Sequence, residues 1–166
     1  MIEHWDSSRK KAQELRLEQW GTLEEVKVLA TPLRQAKDRR AAMDCLKEIA
    51  LKSLFTSRSG LSARLSKRSL GKLVSHAAVV SSFCPDAHYT AAANIDKIFS
   101  NAIEPWQFAL NPHKDNTGLK SRRYLFAPLE FNGKITVVKI TVKEYEGEDL
   151  QNKLYSIEAV GVDLKT

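Results

Sequence analysis

Cysteine is nearly absent from this chain: Cys45 and Cys84 are the only two in 166 residues, and they form no C-x-x-C pair. That excludes a disulfide framework or a thiolate zinc site as the organising device, and it suits two free thiols in a reducing compartment. Apolar runs are short throughout, well below the roughly 18 residues that a membrane-spanning helix needs. The N-terminal MIEHWDSSRKK lacks the apolar core of a signal peptide, so the expectation is a cytoplasmic protein without membrane contact.

The common catalytic signatures are missing too. No glycine-rich phosphate loop opens a helix, which argues against nucleoside-triphosphate chemistry. Neither H-E-x-x-H nor a Cys/His cluster is present, so neither a catalytic metal nor another cofactor is expected. No serine sits in a nucleophile elbow. One absence is local. Between Arg58 and Lys72 the chain carries Arg58, Arg64, Lys67, Arg68 and Lys72 without a single Asp or Glu.

What is present describes a globular domain. Apolar residues make up 43% and charged residues 28%, enough to build one core at this length. The net charge of +6 and pI near 9.3 favour a polyanionic partner, because cations gain by releasing counterions from phosphates. The basic segment 58–72 reads either as a phosphate contact or as a solvated surface.

Residues 1–22 read as a helical arm, capped by Ser7 or Ser8 and ended at Gly21, and residues 23–166 as a single domain. A short strand is expected over 24–30 and a helix over about 39–51, with Ala42, Met43, Leu46, Ile49 and Ala50 at helical spacing. A half-buried strand over 61–65 precedes a helix capped by Ser66 that holds Leu70, Leu73, Val74 and Ala77. One further helix, opened by Pro85 or Asp86, runs to Ala102. A short strand follows Pro105, then a turn-rich loop over 111–120. Asn132-Gly133 between apolar runs marks a tight hairpin.

The last strands alternate. Thr136, Val138, Ile140 and Val142 share one face, and Tyr155, Ile157 and Ala159 share one face of the next strand. This leaves Lys139, Lys143, Ser156 and Glu158 on the other side, with any site near Lys143 because Ile135 and Val137 make the far end of that face apolar. The fold class is α+β: N-terminal helices packed on one face of a C-terminal antiparallel sheet of three to five strands.

RNA cleavage by 2′-hydroxyl attack needs a base, an acid and cations, and no metal. His88 and His76 are candidate acid or base groups, because imidazole titrates near neutrality, and Glu158 is a further base. Lys72, Arg123, Lys139 and Lys143 are candidate phosphate ligands, with Tyr124 or Trp106 as a stacking ring. Each has a plainer reading. His88 could satisfy a backbone group near its helix start, and Lys139 with Glu158 could be a cross-strand charge pair.

SKRSLGKLVS (66–75), His88 leading A-x-N-I-D-K-I-F-S-N-A (92–102), VKITVKE (138–144) and LYSIEA (154–159) resemble the third family of large polyvalent protein-associated domains and their phage nuclease relatives. The resemblance covers about residues 60–162. It implies a metal-independent, RNase-like fold of the Barnase–EndoU–colicin–RelE-like superfamily, with phage or mobile-element origin and the active face on the sheet and adjacent helix. Lys72, Ser75 and His88 match its helical motifs; Lys143, Tyr155 and Glu158 match its strand motifs. It implies RNA as substrate, a toxin-like role and an immunity or phage protein as partner. The alternative is an inactive module of the same fold that binds a protein or nucleic acid.

Overall fold

A computed structural model describes Val28 and residues 34–51, 55–104, 119–145 and 154–164. The expected arm at 1–22, the strand at 24–30, the strand after Pro105 and the loop at 111–120 lie outside these residues. The architecture is α+β. Its helices are α1 (Arg39–Ile49), α2 (Leu70–Leu73, entered through a 3-10 turn at Lys67–Ser69), α3 (His76–Ser81), α4 (Pro85–Ala93) and α5 (Ile95–Asn101). They pack on one face of an antiparallel sheet in the order β3 (Leu119–Phe131), β4 (Lys134–Tyr145), β5 (Leu154–Leu164), and a two-residue ribbon pairs β1 (Phe55–Thr56) with β2 (Ser62–Ala63).

The expected helix at 39–51 is α1. Asp38 caps it by accepting from the Ala41 amide at 2.8 Å, and Ala42, Leu46 and Ile49 are its buried stripe. The other two expected helices are each broken, for different reasons. Ser75 stops the helix that begins at Leu70 and caps a new one, accepting from the Ala78 amide. At Asn94 the backbone leaves helical geometry between α4 and α5. The Asn94 side chain is wholly buried and faces the chain entering α1: Oδ1 accepts from the Arg34 amide at 2.9 Å, and Nδ2 donates to the Arg34 and Thr90 carbonyls at 2.8 Å. Arg34 then closes the clamp with two guanidinium hydrogen bonds to Asp96, at 2.7 and 3.0 Å. A buried amide and carboxylate are tolerable there because their hydrogen bonds are made.

The hairpin between β3 and β4 is the one that the sequence marks. Asn132 and Gly133 both have positive φ, 50° and 76°, as a type I′ turn requires. Phe131 pairs with Lys134 and fixes the register of the whole ladder. Thr136, Val138, Ile140 and Val142 are buried against the helices, with Leu125, Ala127 and Leu129 on β3 and Ile157, Val160 and Val162 on β5. On the opposite face, Phe126 and Val137 form a small second cluster with Ile103 and Tyr124.

Both edges of the sheet are partly covered. Ile103 exchanges two backbone hydrogen bonds with Phe126, at 2.9 and 2.8 Å. The Phe126 amide thus points outward, as does position 128 two residues on, so Pro128 sits where a missing N–H breaks no ladder bond. At the β5 edge, the Ile157 amide donates to the Arg64 carbonyl and the Phe83 amide to the Val162 carbonyl. Such cover blunts an otherwise pairable edge.

The faces of β5 depart from simple alternation. Thr141 pairs with Ala159 but Val142 pairs with Ile157, so Glu158 is the extra residue of a β-bulge. Tyr155, Ile157 and Ala159 therefore do not form one continuous face: Ile157 lies in the core, while Ala159 lies across from Thr141.

A Cβ at Gly133 would meet nothing within 4 Å, so Gly133→Ala isolates the cost of positive φ. We expect a loss of about 1 kcal/mol, read from the urea midpoint at unchanged m-value. A neutral or stabilising result would rule out this turn geometry.

Candidate nucleic-acid interface

His88 falls in the first turn of α4, whose N-cap is Cys84 and whose first residue is Pro85. Its side chain is wholly buried. Nε2 lies 2.7 Å from the Leu73 carbonyl oxygen and Nδ1 2.7 Å from Ser82 Oγ. A carbonyl only accepts, so Nε2 carries the proton and Nδ1 accepts from the Ser82 hydroxyl. Ser82 Oγ in turn accepts from the Val162 amide at 3.0 Å. Burial lowers the imidazole pKa below its ordinary value, and the hydrogen bond to Leu73 only partly opposes this. The ring is a neutral bracket with both nitrogens in use. His76, by contrast, opens α3 on an exposed turn.

The bulge takes Glu158 out of the open-face row. Its carboxylate is 8% exposed and its Oε2 lies 3.8 Å from Lys72 Nζ, on a side chain that is 66% exposed. The structure thus joins two of the predicted residues, Lys72 and Glu158. Lys139 has Gly161 as its register partner on β5, and its ammonium stands 4.5 Å above the Tyr124 ring, a cation–π contact.

Arg123 and Arg122 lie on opposite faces. Arg123 alternates with Leu125 toward the helical side, and its guanidinium makes a two-point contact with Glu104: Nε donates to Oε2 at 2.6 Å and Nη2 to Oε1. Both partners are largely buried, at 17% and 5% exposure. Arg122 faces the open side, directly across from Lys143. Sequence reasoning picked Arg123 and passed over Arg122, although the hairpin register could have found it: counting outward from the Asn132-Gly133 turn places Arg122 opposite Lys143. Tyr124 follows on the same face, paired with Thr141.

Two groups of cations flank the predicted site residues, apart from the exposed Lys37, Arg39, Arg40, Lys47, Lys97 and Lys134 elsewhere on the described surface. Arg58, Arg64, Lys67, Arg68 and Lys72 are all exposed, the first four around the β1–β2 ribbon and the turns leading into α2, and Lys72 on α2 itself. Arg122, Lys139 and Lys143 lie half-buried on the open sheet face. Among the described residues no cluster of His, Cys, Asp and Glu suits a metal ion, and no helix is long and apolar enough to cross a membrane.

Residues 34–155 match the family model of Large polyvalent protein-associated domain 3, and the chain belongs to that family. No curated protein and no solved structure matches it.

The neutral, buried state of His88 has a pH signature. Its pKa is lowered on folding, so the unfolded chain takes up the proton first. The stability that His88 contributes is full above the unfolded value of about 6.5 and is lost as pH falls toward the lower folded value. Thermal melts between pH 7.5 and 5 should show Tm falling with acid, and His88→Phe should flatten that slope. His88→Ala should cost about 2–4 kcal/mol at neutral pH, from the cavity and the stranded Leu73 carbonyl and Ser82 hydroxyl. An identical pH slope in His88→Phe would remove His88 from the account.

Proposed function

We propose that this domain is a non-catalytic nucleic-acid-binding module of a large polyvalent protein. The observation that carries the reading is the segment from Arg58 to Lys72: five cations, all exposed, with no acid in the segment. Lys72 reaches Glu158, but Arg58, Arg64, Lys67 and Arg68 have no carboxylate partner among the described residues. Cations so held repel one another, and a polyphosphate backbone relieves that repulsion while releasing counterions. The state of His88 bears on the chemistry. A general acid or base must come within hydrogen-bond reach of the reacting atom, and both nitrogens of His88 are taken by Leu73 and Ser82.

The pairing of Lys72 with Glu158 favours a second reading, the metal-independent RNase. There a carboxylate would take the 2′-hydroxyl proton beside a cation that holds the phosphate. An immunity or phage protein would be the natural partner of such a toxin.

Two measurements on one preparation separate these readings. We expect labelled RNA to stay intact after prolonged incubation in EDTA, and to bind with an affinity that falls steeply with added salt. Cleavage that persists in EDTA and drops at least tenfold in Glu158→Gln would establish the nuclease instead. Intact RNA with no salt-sensitive binding of RNA or DNA would leave neither reading standing.

A further inference from the structure

Arg122 and Lys143 are cross-strand partners on the open face. The closing pair of a two-residue turn, Phe131–Lys134, is hydrogen-bonded, so strict alternation makes Arg122–Lys143 a non-hydrogen-bonded pair, where side chains approach most closely. Like charges so placed oppose folding. Among the described residues neither has a carboxylate partner. The next residue, Glu144, belongs to the buried alternation with Val142 and is 8% exposed.

The row continues across the sheet. Lys143 pairs with Ser156 on β5, and the adjacent Ile157 amide donates to the Arg64 carbonyl at 2.9 Å. Ala63 and Leu65 are buried and Arg64 between them is exposed, so Arg64 projects away from the core, as Arg122 and Lys143 do. Three inter-strand steps of about 4.8 Å place Arg122 and Arg64 about 14 Å apart, with Lys143 between them. Beside this line runs the row Tyr124–Thr141–Ala159, with the Lys139 ammonium 4.5 Å over one face of the Tyr124 ring.

We infer that the row Arg122–Lys143–Arg64 is the path of a single-stranded polynucleotide, lying across the strands with its phosphates on the cations and its bases over the Tyr124–Thr141–Ala159 row. This rests on the nucleic-acid reading above and adds the route and the strandedness. The row is one residue wide, which suits one backbone, whereas a duplex presents two. The neighbouring aromatic and small side chains give bases a sequence-tolerant surface.

The test is fluorescence anisotropy with a labelled uridine oligonucleotide, and in parallel a labelled DNA duplex, across a salt series. Arg122→Gln/Lys143→Gln should weaken single-strand binding at least tenfold. The slope of log affinity against log salt should shrink by about 0.7 for each contact removed, so by about 1.4. Arg64→Gln should shrink it by about 0.7. A thermal melt separates this loss from misfolding: relieving the Arg122–Lys143 repulsion should raise Tm while binding falls.

The outcomes differ by hypothesis. Wild-type binding that survives in the double variant but disappears in Lys67→Gln/Arg68→Gln overturns the row and leaves the binding module intact. Equal affinity for the duplex overturns the single-strand assignment. Absence of wild-type binding to either probe at low salt overturns the function reading and the row together.

Discussion

One hydrogen-bond chain ties the helical layer to the sheet: the Val162 amide to Ser82, Ser82 to His88, and His88 to the Leu73 carbonyl. It spans β5, the turn between α3 and α4, α4 itself and the end of α2. Every member is buried or belongs to the backbone, so the network has value only when complete, and a single missing partner leaves a desolvated group stranded. An imidazole suits the middle position because it donates from one nitrogen and accepts at the other while uncharged. The same completeness leaves both nitrogens of His88 occupied by partners within the protein. A histidine with both nitrogens bonded inside a core holds the fold in place, and a family motif built around it can reflect packing as readily as activity.

The carboxylates show a parallel division of labour. Asp96 holds Arg34, Glu104 holds Arg123 and Glu158 reaches Lys72. All three acids are nearly buried, at 5–8% exposure, where an unpaired charge would be expensive. These contacts draw acids into the fold and leave Arg58, Arg64, Lys67, Arg68, Arg122 and Lys143 with no carboxylate partner among the described residues. A modest net charge of +6 thereby gives a surface locally more basic than the composition suggests. Field strength depends on this segregation more than on the total.

Much of the fold was legible because it rests on local rules. Asn132-Gly133 set a turn and with it the register, the period-two run from Thr136 to Val142 set the buried face, and helical spacing set α1. What escaped depends on distant partners. The break at Asn94 occurs because its amide serves the backbone of Arg34, sixty residues away in sequence, and no local propensity encodes that. The Glu158 bulge leaves LYSIEA looking like an ordinary alternating strand, which is why Glu158 was expected beside Lys139. Its actual neighbour, Lys72, comes from a helix that the strand pattern cannot see.

The basic residues show the finest limit of sequence reasoning. Arg122 and Arg123 are chemically identical and adjacent, yet the pleat sends one to Glu104 and the other to Lys143. Choosing between them requires register, and register was already implied by the turn. The sequence carried the information, but only to a reading that propagates one tight constraint along both strands before assigning roles. Where a bulge interrupts that propagation, as in β5, it fails at the first residue past the irregularity. The consequence is physical: β3 and β4 present an uninterrupted face on which Arg122, Tyr124, Lys139 and Lys143 hold fixed spacings, whereas the irregularity of β5 takes Glu158 out of that face and leaves Asp163, the register partner of Val137, at the end away from Lys143. Withdrawing a carboxylate from beside three cations strengthens the positive potential there without adding a charge.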